Sequence, residues 1–216
     1  MFAMCVSRCL ALLALAAPIT CIAQNWELGG TGGYGWYSNP TISNGASSAT
    51  AGFPPRGAIG AVFGNNMYEH VGGELRYLLR FGGPELKFNG LQWNMTGYTN
   101  VIVYDVLVHT APRDEKLRPF FAGGAGIKVF TSNGLLPPPD PTLGQFARLR
   151  SDTQVEPVIS AGAGLKYRFR KHAQFRVDFR TYFSPLPDDI FRHRPPASIR
   201  GWVFDFVPMA GLSYVF

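Results

Sequence analysis

Cysteine is scarce in this sequence of 216 residues, and its three copies, Cys5, Cys9 and Cys21, all precede residue 24. The segment from Met1 to Ala23 has the layout of a secretory signal, because Arg8 precedes an apolar run that ends in small residues. Once that segment is removed, the mature chain begins near Gln24 and has no cysteine for a disulfide bond. Its stability must then come from hydrogen bonding and burial.

Cys21 lies just after the apolar run, so attachment of a lipid to this residue is a second interpretation of the segment. A lipid-attachment site has leucine and small residues before the cysteine. Pro18, Ile19 and Thr20 fit that pattern poorly. The sequence therefore favours ordinary cleavage of a secretory signal peptide.

Long hydrophobic runs and clustered charges are also missing. No segment of the mature chain reaches the roughly 20 uncharged apolar residues of a membrane-spanning helix, so only strands are left to cross a membrane. The formal net charge is +6, or +5 once Arg8 is removed with the signal, and the basic residues are scattered singly. No nucleic-acid partner is predicted from such a pattern.

What the chain does have is alternation with a period of two residues, which is typical of strands. Several alternating stretches match or exceed the roughly 9 to 11 residues that a tilted strand needs to cross a bilayer. They predict an all-β fold, an eight-stranded antiparallel up-and-down barrel in a single domain of residues 24–216. The eight stretches are Trp26 to Tyr37, Arg56 to Gly64, Tyr68 to Phe81, Thr99 to His109, Arg118 to Thr131, Val155 to Arg170, Phe175 to Phe183 and Ile199 to Phe216.

The alternation separates charged from apolar side chains. Between residues 175 and 183, one face carries Phe175, Val177, Phe179, Thr181 and Phe183, and the other carries Arg176, Asp178, Arg180 and Tyr182. A Lys or Arg facing the bilayer centre costs roughly 2 to 4 kcal/mol, so a lipid-facing surface excludes charge in this way. A soluble barrel with its apolar face inside is the alternative. Glycines on the charged face, such as Gly162 and Gly164, favour a narrow polar lumen instead.

The connections between the stretches alternate between short and long. Short turns on the periplasmic side and long loops outside are the order expected of an outer-membrane barrel with both termini in the periplasm. The long loops are rich in Gly, Pro, Ser and Asn, so we expect them to lack regular structure over much of their length. They are Ser38 to Pro55, Gly82 to Tyr98, Ser132 to Gln154 and Ser184 to Ser198.

The charged face of the strands is predicted to line the lumen. Buried charges need partners, the two signs nearly balance, and the interior of eight strands can be filled by side chains. We therefore predict an ion-paired plug, with a conduction pathway as the alternative. The predicted network consists of Glu27, Glu74, Arg76, Arg80, Asp105, Lys128, Glu156, Lys166, Arg168, Arg176, Asp178, Arg180 and Asp205.

The chain ends in a strand pattern in which Ala210, Leu212, Tyr214 and Phe216 alternate toward a final phenylalanine. This resembles the C-terminal signal of bacterial outer-membrane proteins that the barrel-assembly machinery recognises. Together with the export signal and eight strands, the whole mature chain resembles the small OmpA/OmpX-type outer-membrane β-barrels. The resemblance implies a location in the bacterial outer membrane. Because the sequence stops with the barrel strand, no periplasmic peptidoglycan-binding domain is expected.

Residues that could carry chemistry are few. The string from Gly30 to Gly35 matches GxGxxG, but without a preceding strand and a following helix it indicates only a Gly-rich strand. Outer-membrane deacylases of the PagL type have a serine two residues after the catalytic histidine, and none of the four histidines here has one. A triad assembled from different strands stays open. His193 near Asp188 and Asp189 is one histidine in a loop, so no metal site and no cofactor are predicted.

The sequence thus predicts a non-enzymatic outer-membrane barrel that serves envelope structure or surface interaction through its long loops. A narrow channel and a lipid-modifying enzyme are the alternatives. The predicted partners are outer-membrane lipid including lipopolysaccharide, the barrel-assembly machinery and an extracellular ligand of the loops. Arg192 and Arg194 in the fourth loop and Arg200 at its edge could contact lipopolysaccharide phosphates, but the sequence favours the simpler interpretation of a solvated loop that keeps the surface soluble.

Overall fold

The alternating stretches form strands of 10 to 18 residues, joined by shorter strands within the long connections. A computed structural model describes residues 26–43, 47–134, 141–144, 146–193 and 201–216. The predicted signal segment and Gln24 lie outside these residues. In chain order the elements are β1 (Trp26–Ser38), β2 (Thr41–Ser43), β3 (Ser48–Gly52), β4 (Arg56–Asn65), β5 (Val71–Phe81), β6 (Glu85–Phe88), β7 (Leu91–Asn94), β8 (Thr96–His109), β9 (Leu117–Asn133), α1 (Pro141–Gly144), β10 (Ala147–Leu149), β11 (Thr153–Arg170), β12 (Ala173–Pro185), β13 (Phe191–His193) and β14 (Trp202–Val215).

Eight long strands close into an antiparallel barrel in the order β1-β14-β12-β11-β9-β8-β5-β4. The first and last strands pair from Glu27 opposite Val215 to Ser38 opposite Phe204. Closure leaves the barrel no free sheet edge, so its backbone donors and acceptors are paired within the wall. The predicted eight-stranded barrel is therefore confirmed. Within the described residues, no helix is long and apolar enough to cross a membrane.

The barrel has an apolar outer surface and a polar interior. On β12, the outward-facing Phe175 and Phe179 are 41% and 43% exposed, whereas Arg176 and Arg180, each the next residue along the strand, are fully buried. The same division holds on β5, where Leu75 and Tyr77 face outward and Arg76 faces the lumen. This arrangement is the reverse of a soluble barrel, whose apolar side chains fill the interior.

The strand boundaries differ in detail from those predicted. The third strand starts at Val71 and not at Tyr68, because the Tyr68 N–H bonds to the Val71 carbonyl oxygen in a bend. β8 starts at Thr96 and pairs with β9 through Asn133, beyond the predicted ends. Residues 199 and 200, which the sequence assigned to the last strand, lie outside the described residues.

The expectation that the long loops lack regular structure is wrong. β2, β3, β6 and β7 form a four-stranded sheet, and β10 pairs with β13. We call these six strands and α1 the cap. One loop alone has too little apolar surface to fold, but the loops share a core, which overrides their Gly- and Pro-rich composition. The buried core side chains are Tyr37, Ile42, Ala49, Ala51, Phe53, Leu86, Trp93, Met95, Phe130, Leu143, Phe146, Ala147, Leu149, Leu186, Ile190, Phe191 and Val203.

Glycine at position 126 is required by a close approach between β8 and β9. A Cβ atom added at Gly126 would lie 1.9 Å from the Ile102 carbonyl oxygen and 2.7 Å from the Val103 Cα, which are backbone atoms of the neighbouring strand. At Gly123 on the same strand, the nearest atom would be the Ser160 carbonyl oxygen at 3.9 Å. The two glycines therefore differ in how much space a methyl group would find.

We predict that Gly126→Ala lowers the free energy of unfolding by about 1 to 3 kcal/mol, because the β8 and β9 backbones must move apart. Gly123→Ala is the matched control and should change it by less than about 0.5 kcal/mol. Urea unfolding in lipid vesicles, followed by the electrophoretic shift between folded and unfolded protein, measures both. Equal effects of the two substitutions would contradict the close approach as the reason for glycine.

Candidate functional site

A network of ion pairs bridges the lumen between β5 and β12, which lie on opposite sides of the barrel. In the strand order, β12 is third from β1 and β5 is seventh, so three strands separate them in either direction. Alternation points Glu74 and Arg76 of β5, and Arg176, Asp178 and Arg180 of β12, into the lumen. Residues about 100 positions apart in sequence thereby meet at the barrel axis.

Glu74 lies at the centre of this network. Its Oε1 atom accepts from Arg76 Nη2 at 2.7 Å and lies 3.3 Å from Arg180 Nη2. Its Oε2 atom accepts from Arg176 Nη1 at 2.8 Å. One carboxylate therefore binds three guanidinium groups from both walls, which holds the walls at a fixed separation.

The remaining carboxylates neutralise the same arginines. Asp178 lies 3.1 Å from Arg76 Nη2 and 3.0 Å from Arg176 Nη2, while Asp105 of β8 accepts from Arg180 Nη1 at 2.8 Å. Each of the three arginines thus bonds to carboxylates on at least two strands. Charge-assisted bonds of this kind are the stronger class of hydrogen bond.

Glu27 extends the network to the strands beside the barrel closure. Lys166 Nζ of β11 lies 2.5 Å from its Oε2, and Arg176 Nη1 lies 3.2 Å from its Oε1. The Ser213 hydroxyl of β14 donates to Glu27 Oε1 at 2.7 Å. A residue of the first strand is therefore connected to three strands that come late in the chain.

The central network is electrically neutral and closed to water. It contains four carboxylates and four cations, namely Glu27, Glu74, Asp105, Asp178, Arg76, Lys166, Arg176 and Arg180. All eight side chains are at most 3% exposed. Burying charges without partners would cost several kcal/mol per ion, so balance of this kind is what permits a dry, charged lumen.

A second ion-pair cluster lies nearer the cap. Asp205 of β14 binds Arg80 at 3.1 Å and Lys128 at 3.3 Å. This leaves one excess positive charge, and Arg80 Nη1 also donates to the Arg56 carbonyl oxygen at 2.7 Å. The Tyr37 ring lies 5.0 Å from the Arg80 guanidinium and 4.9 Å from Lys128 Nζ, a cation–π arrangement that further stabilises the two cations.

Apolar layers separate the charged clusters along the barrel. A belt of buried residues lies between the two clusters, and a smaller group around Phe120 lies beyond the central one. The Phe120 ring is 5.6 to 5.8 Å from the charged groups of Lys166, Arg176 and Arg180. The belt consists of Ala58, Leu78, Val101, Val103, Val158, Tyr182, Val207 and Met209.

Two predicted members, Glu156 and Arg168, are not part of either cluster. Glu156 accepts a hydrogen bond from Gln154, and Arg168 donates to the Arg113 carbonyl oxygen. Both residues are half-exposed because β11 has 18 residues and its ends extend past the packed lumen. The alternation of the strand correctly predicts that both side chains lie on the lumen face. It does not predict their position along the barrel axis, which differs from that of the network.

Sequence reasoning missed the aromatic members of the lumen. Tyr37 and Phe120 fall on the same strand face as the charged residues, and that parity was the signal that could have identified them. Met209 was also missed, and its sulfur lies 3.6 Å from Arg76 Nη1. These residues share the lumen with the charges because a ring or a thioether fills volume that ion pairs leave open.

The predicted C-terminal signal residues lie on the lipid-facing side of β14. Leu212 and Tyr214 are 60% and 50% exposed and pair with Gly30 and Leu28 of β1. The Phe216 N–H donates to the Trp26 carbonyl oxygen at 2.9 Å. The terminal segment therefore forms one side of the junction that closes the barrel.

The histidines do not assemble a recognisable catalytic group. His70 Nδ1 and His172 Nδ1 lie within hydrogen-bond distance of the backbone oxygens of His109 and Val215. None of the rings of His70, His109 and His172 contacts a serine or threonine hydroxyl. Among the described residues, no group of three acidic, histidine or cysteine side chains could hold a metal ion, and the His193 side chain lies outside them.

A closed eight-stranded barrel with an apolar exterior and a charged interior has the fold of the small outer-membrane β-barrels, as the resemblance to the OmpA/OmpX type implied. Among solved structures, the chain is similar to Neisserial surface protein A (NspA), with 9% identity and a TM-score of 0.52 over 88% of this chain and 97% of that one. It is also similar to OprG from Pseudomonas aeruginosa, with 14% identity and a TM-score of 0.51 over 89% and 97%. No family model matches the sequence, and no curated protein does.

We predict that Glu74→Gln lowers the free energy of unfolding by about 3 to 5 kcal/mol, because three buried arginines lose their shared charge partner. Glutamine keeps the size of the side chain, so loss of packing cannot account for the effect. The control is Lys87→Gln, which breaks the 2.8 Å pair with Glu85 on the cap. Lys87 is 46% exposed, and its loss should cost at most about 1 kcal/mol.

Both variants are measured by urea unfolding in lipid vesicles against the unaltered protein. A loss for Glu74→Gln no larger than that for Lys87→Gln would show that the lumen charges do not hold the barrel walls together.

Proposed function

We propose that this protein is a bacterial outer-membrane barrel that conducts no solutes and presents the folded cap at the cell surface. Its termini and short turns lie on the periplasmic side, as in other barrels with this order of connections. In this proposal the cap serves surface interaction, and the barrel anchors it and contributes to envelope structure. A cleaved signal at Met1 to Ala23 and recognition of the last strand by the barrel-assembly machinery belong to the same proposal.

The observation that carries the proposal is the burial of the central network. The side chains of Glu74, Arg76, Arg176 and Arg180 are all 0% exposed. A conducting pore would require these groups to line a continuous water path. The apolar core of the cap provides a second layer over the loop end of the barrel, with Ile42, Leu86 and Phe146 also at 0%. Two independent layers therefore oppose conduction.

A role for the cap in binding is supported by its construction. Two small sheets pack on a shared core, so their outward side chains are held in fixed positions. Fixed polar side chains on loops that are supported by a rigid barrel are the usual arrangement of a binding surface. An enzymatic role is not part of the proposal, because the described histidine rings lack a nucleophile within hydrogen-bond reach.

We predict no stable single-channel conductance when the refolded mature protein is inserted into planar bilayers. Changing Arg76 and Arg176 together to alanine removes the charged layer and leaves the cap as the second one, so this variant should show brief, discrete, cation-selective openings when the cap moves away from the loop end of the barrel. The reason is that Glu27, Glu74 and Asp178 lose compensating charge in a lumen from which two large side chains have been removed. Insertion is verified by the heat-modifiable electrophoretic shift of the folded barrel.

The matched control changes Arg56 of β4 and Arg170 of β11, two exposed arginines whose side chains belong to neither ion-pair cluster, to alanine. That variant should be as silent as the unaltered protein. Discrete openings in the unaltered protein would overturn the proposal and make a narrow channel the better description of its function.

A further inference from the structure

Two arginines from different loops lie directly opposite each other on the outer face of the cap. In the small sheet of β10 and β13, Arg148 pairs with Arg192, between the pairs Ala147 with His193 and Leu149 with Phe191. Ala147, Leu149 and Phe191 are buried in the cap core. Alternation therefore points both arginines to the exposed side of the sheet.

This pair of like charges lacks an ion-pair partner among the described residues. Directly opposite like charges destabilise a sheet, and neither Arg148 nor Arg192 forms an ion pair with a described acidic residue. Arg150, two residues along from Arg148, is also exposed and has no ion pair. By contrast, Lys87 on the other cap sheet binds Glu85 at 2.8 Å. None of these three arginines is paired with a described carboxylate, which indicates an external anion.

The position of the pair along the barrel indicates where that anion lies. Arg150 precedes the lipid-facing Val155 by five residues, which span at most about 16 Å in a strand. The Arg150 N–H donates to the Ile190 carbonyl oxygen at 3.0 Å, and the Ser132 N–H donates to the Asp152 carbonyl oxygen at 2.9 Å. These bonds hold the sheet beside the end of β11, next to the apolar outer surface of the barrel, where lipid headgroups lie in the proposed orientation.

We propose that Arg148 and Arg192, with Arg150 beside them, bind a phosphate group of lipopolysaccharide in the outer leaflet. The inference rests on the proposed function, because it requires the loop end of the barrel to face that leaflet. A guanidinium donates two parallel hydrogen bonds to a phosphate, and two of them held side by side by the sheet register match its oxygens. The bound phosphate also removes the repulsion between the two arginines.

The test uses the refolded mature protein in micelles of an uncharged detergent, with bisphosphorylated lipid A and chemically dephosphorylated lipid A as probes. Native mass spectrometry over a range of lipid concentrations gives the dissociation constant of each. The double variant Arg148→Gln with Arg192→Gln should bind bisphosphorylated lipid A at least about tenfold more weakly. Dephosphorylated lipid A should bind the unaltered protein as weakly as the phosphorylated lipid binds the double variant.

Lys87→Gln, which removes one exposed but paired cation of the cap, is the control and should bind like the unaltered protein. The inference is overturned if the double variant binds lipid A within twofold of the unaltered protein. It is also overturned if Lys87→Gln weakens binding equally, or if dephosphorylated lipid A binds as tightly as the phosphorylated lipid. The heat-modifiable shift verifies that both variants are folded.

The lipid A titration and the conductance measurement test the two proposals separately. A double variant that loses lipid A binding and stays silent in planar bilayers supports both inferences. Discrete openings in the unaltered protein reject the sealed barrel, whereas the lipid A titration still decides whether the arginine pair recognises phosphate.

Discussion

Charge neutrality inside a buried lumen is the constraint on which this structure depends. A guanidinium removed from water and left without a partner is costlier than the packing of any single side chain can offset. Four cations and four carboxylates therefore have to meet at one depth in the barrel, and they come from β1, β5, β8, β11 and β12. The register between the strands brings them to that depth. A slip of one residue in a strand would move all its charged side chains from the lumen to the outer face.

The layered interior follows from the same requirement. Ion pairs fill the lumen unevenly, so the belt around Leu78 and the ring of Phe120 occupy the space above and below the central network. Glycines such as Gly126 allow the backbones of neighbouring strands to approach closely. The cap adds another apolar layer at the loop end. The outer surface is exempt from this constraint, and it carries aliphatic and aromatic side chains, among them the Trp36, Phe179 and Phe206 rings, which pack against one another.

Much of the barrel could be predicted from the sequence, because the alternation of polar and apolar residues is a local property of each strand. It identified the eight strands, their two faces and eleven of the lumen charges that the structure buries in pairs, from Glu27 to Asp205. The partners could not be predicted, since Glu74 and Arg176 meet only through barrel closure. The position of each side chain along the barrel axis could not be predicted either, so the sequence analysis included Glu156 and Arg168 in the ion-pair network. The cap was missed because Ile42, Leu86 and Phe191 become a core only when separate loops meet.

The contacts of Glu27 have a consequence for the order of assembly. This residue of the first strand bonds to Lys166, Arg176 and Ser213, whose strands are the sixth, seventh and eighth of the barrel along the chain. Until the last strand docks on the first, the carboxylate and its cations face each other across an open seam that water can enter. Dehydration of the interior is thus coupled to the final pairing step. In a barrel that is not fully closed these charges stay hydrated, so burial of the network and pairing of β1 with β14 occur together.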